Sequence, residues 1–156
     1  EVIEPFLEEI REPDWHGTPA ELASLAYDEE RSRNAEDRWH GVRGGGEPPR
    51  AFVERVRAGA TEFWSRLGMS RSRQTLPMWH LDTPDLRVLI TAHAGTNGVL
   101  LCHLLGLDPV PWEWDRFVTH HASITRLTSF QLGDGHAFSL VRLSDVEHLP
   151  HDARTC

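Results

Sequence analysis

Six consecutive residues, 86–91 (LRVLIT), do most to constrain what this chain can become. They form a β-branched, near-continuous apolar run with polar residues on both sides. That pattern predicts a strand buried on both faces, as in a parallel sheet. Two residues on stands His93, and residues 95–105 then read as an apolar helix closed by Gly106, a C-cap signal. Strand, imidazole and helix in that order place the chain in the α/β class. A doubly buried strand needs sheet neighbours on both sides. Residues 123–130 and 137–143 read as two strands joined around Gly133-Asp134-Gly135, a hairpin able to supply one side. No candidate for the other side is legible.

The rest of the chain reads as follows. Residues 1–11, with Pro5 inside them, predict an extended piece or short helix. Thr18-Pro19-Ala20-Glu21 reads as a helix start, with a threonine cap and proline in the first position. The polar stretch DEERSRNAEDR predicts an exposed helix end or a loop. Gly44-Gly45-Gly46-Glu47-Pro48-Pro49 is a break followed by a helix start. In the helix that follows, Phe52, Val53, Val56, Ala60, Phe63, Trp64 and Leu67 recur at helical spacing. Residues 69–85 read as irregular, PWEW (111–114) as a short helical piece, and the tail from Ser144 as polar. No internal repeat is visible, and 156 residues are most simply one domain, 1–156.

A net charge of −8 disfavours a nucleic-acid or anionic-membrane surface. All 16 basic residues are arginine. The absence of lysine excludes Schiff-base chemistry and a Walker-type phosphate loop, whereas arginine remains able to bind phosphate or carboxylate bidentately. Cys102 and Cys156 have neither metal nor CxxC spacing, so a reduced, cytoplasmic protein is expected. No apolar run reaches transmembrane length. The ten histidines alone favour a metal protein, but no HExxH and no i,i+4 histidine pair is present, so no metal or cofactor is expected.

In α/β sheets ligands bind at the carboxyl ends of strands. There His93 meets the unpaired N–H groups of the following helix, a ready anion seat, and the small Ala94 and Gly95 let backbone approach a ligand. The plainer alternative is that His93 caps the helix. Glu47, after three glycines and before a helix, reads as a stabilising cap, or as a general acid if burial raises its pKa. His103, among leucines, reads as a core or partner-facing residue. The six tryptophans read as core or lid anchors.

VLITAHAGTNGVLLCHLLGLDP, followed by ASITRL and FSLVRLSDVEHL, resembles the C-terminal half of the histidine phosphatase superfamily, the phosphoglycerate mutase-like fold. GGGEPPRAFVERV resembles its Gly-Glu-Ser segment, and FLEEIREPDWHGTPAEL its Leu-x-Glu-Ile…Trp-Glu-Gly stretch. The resemblance implies a three-layer α/β/α sheet. It also implies a phosphoric monoester hydrolase acting on small-molecule phosphomonoesters through a phosphohistidine intermediate. Glu47 then takes the proton-donor place, His93 that of the second, phosphoryl-stabilising histidine, and the Ala94 N–H an adjacent phosphate contact. The family often forms dimers, and nothing in the sequence fixes or excludes a homodimer.

The nucleophile of that family stands in an Arg-His-Gly motif after the first strand, and no Arg-His-Gly occurs here. Arg71-Ser-Arg-Gln-Thr imitates the letters of another family step but in the wrong order. Pro48 replaces a serine and Ala94 the usual glycine. The expectation is therefore a sheet missing its N-terminal strand or strands, and no phosphohistidine activity in the 156-residue chain alone. The alternative is a non-catalytic relative that binds a phosphorylated ligand or a partner. The sequence leaves open the substrate and the choice between phosphatase and mutase.

Overall fold

The computed structural model describes residues 2–41, 46–72 and 76–155. Gly44, Gly45, Arg73, Gln74, Thr75 and Cys156, singled out above, lie outside the described residues. Among the described residues five helices, α1 (Ala20–Ser32), α2 (Ala35–His40), α3 (Pro49–Arg66), α4 (Ala94–Leu105) and α5 (Glu113–Arg116), accompany four strands. The strands are β1 (Met69–Arg71), β2 (Trp79–Leu81), β3 (Ile124–Leu132) and β4 (Gly135–Asp145). Short 3-10 turns occur at Pro5–Leu7 and His151–Ala153. The class is α/β, as expected. The sheet runs β1-β2-β4-β3, with every pairing antiparallel.

The periodic face of α3 makes the core. Phe52, Val53, Val56, Ala60 and Trp64 are buried against Val99 and Leu100 of α4 and Trp79 and Leu81 of β2. Opposite the N-terminal turn, α3 carries Gly59, where a Cβ would collide with the Phe6 ring. That close approach, with Arg66 paired to Glu4, seats the N-terminal segment along α3. Gly106 takes the left-handed conformation (φ 73°) and ends α4, as its sequence position predicts.

The hairpin β3–β4 forms with Leu132 opposite Gly135, somewhat longer at the turn than the pattern suggests. Three sequence expectations differ. Thr18 makes no cap, and Pro19 holds the N-cap position of α1 with its carbonyl accepting from the Leu22 and Ala23 N–H groups. Residues 69–85 are not wholly irregular, because β1 and β2 pair over three residues each. Residues 86–91 are no strand of a parallel sheet. Leu86, Val88 and Leu89 stand out in water, Leu89 at 92% exposed, and Ile90 alone is partly buried, packed against the core. The physical reason is the one the apolar pattern itself raises. A doubly buried strand forms only between two neighbours, and no described strand pairs with these residues.

His103, on α4, is buried as expected, its ring edge-on to Trp79 at 5.4 Å. Neither ring nitrogen meets a hydrogen-bond partner among the described residues. Burial, reinforced by Arg57 and Arg71, pushes its pKa down to about 4. Among the described residues no helix is long and apolar enough to cross a membrane, and no group of three or more His, Cys, Asp or Glu is placed to hold a metal ion.

Candidate functional site

The N-terminus of α4 organises the site. His93 is its N-cap, in extended conformation (φ −93°, ψ 170°), with the carbonyl accepting from the Asn97 N–H at 2.8 Å. Its side chain makes no capping hydrogen bond and is exposed, so the imidazole is not spent on closing the helix. Ala94 is also exposed, at the first helical position. The first N–H groups of a helix have no partner within it and carry its positive dipole end.

One of these donors is already engaged. The Gly95 N–H donates to Glu9 Oε2 at 2.8 Å, across 86 positions of sequence. The other carboxylate oxygen of Glu9 accepts from the Ile10 N–H at 2.9 Å. Thr96 Oγ1 donates to the Glu8 carbonyl at 3.3 Å, so the backbone of residues 8–9 lies against the helix start. A Cβ at Gly95 would collide with both the Glu9 carboxylate and the Trp114 indole. Only glycine allows the three groups to meet here.

Glu47 lies on the far side of that same backbone. Its carboxylate is clasped by Arg55 through two bonds of 2.8 Å, Nε to Oε1 and Nη2 to Oε2. The Arg11 N–H adds a third at 3.2 Å, and the Glu47 N–H returns one to the Arg11 carbonyl at 2.7 Å. Arg55 reaches onward to the carbonyls of Glu8 and Glu9, at 3.2 Å each. The bond from Arg55 outweighs burial and, with Arg11, holds the Glu47 carboxyl below its ordinary value of 4.5. That is opposite to the raised pKa asked of a general acid. A carboxylate fixed as the anion is suited to bracing the segment that carries Glu9.

The site residues read from sequence thus fall into two groups. His93 and Ala94 share the helix start with the Glu9 carboxylate. Glu47 is linked to them through Arg55 and the Glu8–Glu9 backbone. Sequence reading misses Glu9, Arg55 and Trp114 as site residues. The Leu-x-Glu-Ile likeness of residues 7–10 is the signal that could have found Glu9, since charge pattern alone does not separate it from Glu8 or Glu12. Two surface hollows, one beside Arg33, Asp37 and His40 and one beside Ser72, Trp79 and His80, include neither Glu9 nor His93.

Set against known families, residues 2–145 match the model described as histidine phosphatase superfamily (branch 1). The comparisons with curated proteins and with solved structures returned no match.

Proposed function

Since the chain belongs to the histidine phosphatase superfamily (branch 1), we propose that the start of α4 is the phosphoryl-binding half of a phosphomonoesterase site, with Glu9 as its proton donor. The mixed helix and antiparallel-sheet architecture is consistent with the α/β, phosphoglycerate mutase-like fold of that family. The proposal treats residues 1–156 as one domain of a cytoplasmic enzyme acting on small-molecule phosphomonoesters. The observation that carries it is the Glu9 carboxylate on the Gly95 N–H, at the same helix start as His93, whose imidazole makes no capping hydrogen bond.

In this reading the phosphoryl oxygens take the seat that the Glu9 carboxylate now occupies. The Ala94 and Gly95 N–H groups and the His93 imidazole then hold the charge that develops in transfer. A dianion arriving beside a carboxylate favours the protonated acid, because like charges resist sharing a site. The nucleophile is an imidazole from outside these 156 residues, since no Arg-His-Gly occurs within them. Its nitrogen bonds to phosphorus as the P–O bond to the leaving group breaks, and Glu9 passes its proton to the departing oxygen. In the second step the Glu9 carboxylate takes a proton from water as that water attacks the phosphohistidine, releasing phosphate and the free imidazole. Glu47, paired with Arg55, acts as the brace that holds Glu9 in place.

The test is turnover of phosphomonoesters by the complete gene product. Glu9→Gln should lower kcat by about 10²–10⁴-fold, and His93→Ala should lower kcat/KM. Full turnover by either variant sinks the assignment. The 156-residue chain alone should form no phosphohistidine. A second reading, a non-catalytic phosphate binder, is favoured by the missing nucleophile motif. It would show as phosphate binding without turnover in the complete gene product.

A further inference from the structure

Helix α5 spans only Glu113–Arg116, too short to hold itself, yet it contains a fully buried carboxylate. The Cys102 thiol donates to Glu113 Oε2 at 3.0 Å, and the Val110 N–H to Oε1 at 3.0 Å. Arg116 Nη1 lies 4.0 Å from the same carboxylate and donates to the Asp108 carbonyl at 2.8 Å and to the Cys102 sulfur at 3.1 Å. Gly98 lets this lock close, because a Cβ there would stand 2.7 Å from the Glu113 carbonyl oxygen. The result is a turn of helix bolted to α4 at Gly98 and Cys102.

What the lock presents is the next residue. The Trp114 ring stacks on Phe52 with centroids 5.3 Å apart and planes 21° from parallel. Its Nε1 edge meets Gly95 at the point where the Glu9 carboxylate also arrives. Arg55 lies over the same Phe52 ring, 5.4 Å from its centroid, and bonds the Glu9 carbonyl. Glu9 is therefore held by its backbone from the Arg55 side, and the indole bounds the space into which its carboxylate could swing. We propose that Trp114 is a positioning residue. Held by the Glu113–Cys102–Arg116 lock, its indole confines the Glu9 carboxylate to the edge of the Gly95 N–H, so that when phosphoryl oxygens take over that donor the acid is left facing the leaving oxygen. The inference rests on the reading of Glu9 as proton donor.

The experiment compares two substrates of the complete gene product. An alkyl phosphate needs a proton delivered to its leaving oxygen, and 4-nitrophenyl phosphate, with its weakly basic leaving group, scarcely does. Trp114→Ala should lower kcat on the alkyl ester by about tenfold or more with KM unchanged, because a misaimed donor costs on that order. It should spare the aryl ester, and Trp114→Phe should restore much of the loss. Equal losses on both esters, or none on either, overturn the positioning role. Glu113→Gln, which loosens the lock without removing the ring, should show the same discrimination to a lesser degree and serves if Trp114→Ala does not fold. Glu9→Gln separates the two ideas. If it fails to discriminate between the esters, the donor reading falls; if it discriminates and the Trp114 variants do not, only the positioning proposal falls. Independently of turnover, solvent exchange of the Gly95 amide, followed by NMR, should quicken in Trp114→Ala, and unchanged exchange overturns the proposal.

Discussion

Lowering the pH from 7 to 5 should remove about 2 kcal/mol of folding stability through His103 alone. In the fold the imidazole is buried without a hydrogen-bond partner among the described residues and holds a pKa of about 4, whereas an unfolded chain gives it the ordinary 6.5. The unfolded state therefore binds the proton first. Stability is complete above pH 6.5 and falls with the pH until the folded state also protonates near 4. At about 1.4 kcal/mol per pH unit, the stretch from 6.5 to 5 is worth about 2 kcal/mol and the whole interval about 3 kcal/mol. That is a large share of the ~5–15 kcal/mol that holds a typical domain together. The assay is urea unfolding at both pH values, with His103→Leu as the reference. Leucine fills the site and leaves no ring nitrogen stranded, so its stability should change less by that same amount. The window also lies above 4.5, the ordinary value of Glu47, whose lowered pKa contributes only in stronger acid. Equal losses in wild type and variant, or a wild type more stable at pH 5, would refute the argument.

Three other outcomes follow from the same geometry. Gly95→Ala should abolish binding of inorganic phosphate by calorimetry and cost about 1–3 kcal/mol in thermal unfolding, since its methyl collides with the Trp114 indole and the Glu9 carboxylate. Arg55→Ala leaves the Glu47 carboxylate, only 10% exposed, without its cation. The loss should be about 3–5 kcal/mol at pH 7, shrinking in acid as Glu47 protonates below 4.5. Cys102, its thiol pushed up to about 12 by burial and by Glu113, should resist alkylation in the native protein and react only once urea unfolds it.

What the sequence made legible was local. The apolar residues of α3 recur every three or four positions, and α4 ends on a glycine, so both helices announce themselves. The Gly-Asp-Gly step does the same for the β3–β4 hairpin. Residues 86–90 mislead because their pattern states a need, burial on both faces, whose satisfaction depends on other strands. Strands β1 and β2 are three residues each, too short for a period to show. In the candidate site, the placing of His93 and Ala94 at a helix start was legible because strand-like run, imidazole and helix are contiguous. Glu9 was not, because its meaning lies in a bond to a residue 86 positions away. The ionisation of Glu47 was hidden for a similar reason. Whether a carboxylate donates protons or stays ionised depends on Arg55, eight residues further on inside α3, and no spacing rule says that the two will clasp.

The apolar run at residues 86–90 bears on how the protein behaves in the tube. Leu86, Val88 and Leu89 stand exposed on a β-prone stretch broken by a single charge, Arg87. Such a stretch is a template on which identical chains stack edge to edge. Isolated preparations of these 156 residues should aggregate with rising concentration, seeded at this stretch. Leu89→Lys, a second gatekeeping charge beside Arg87, should keep them dispersed without touching the core.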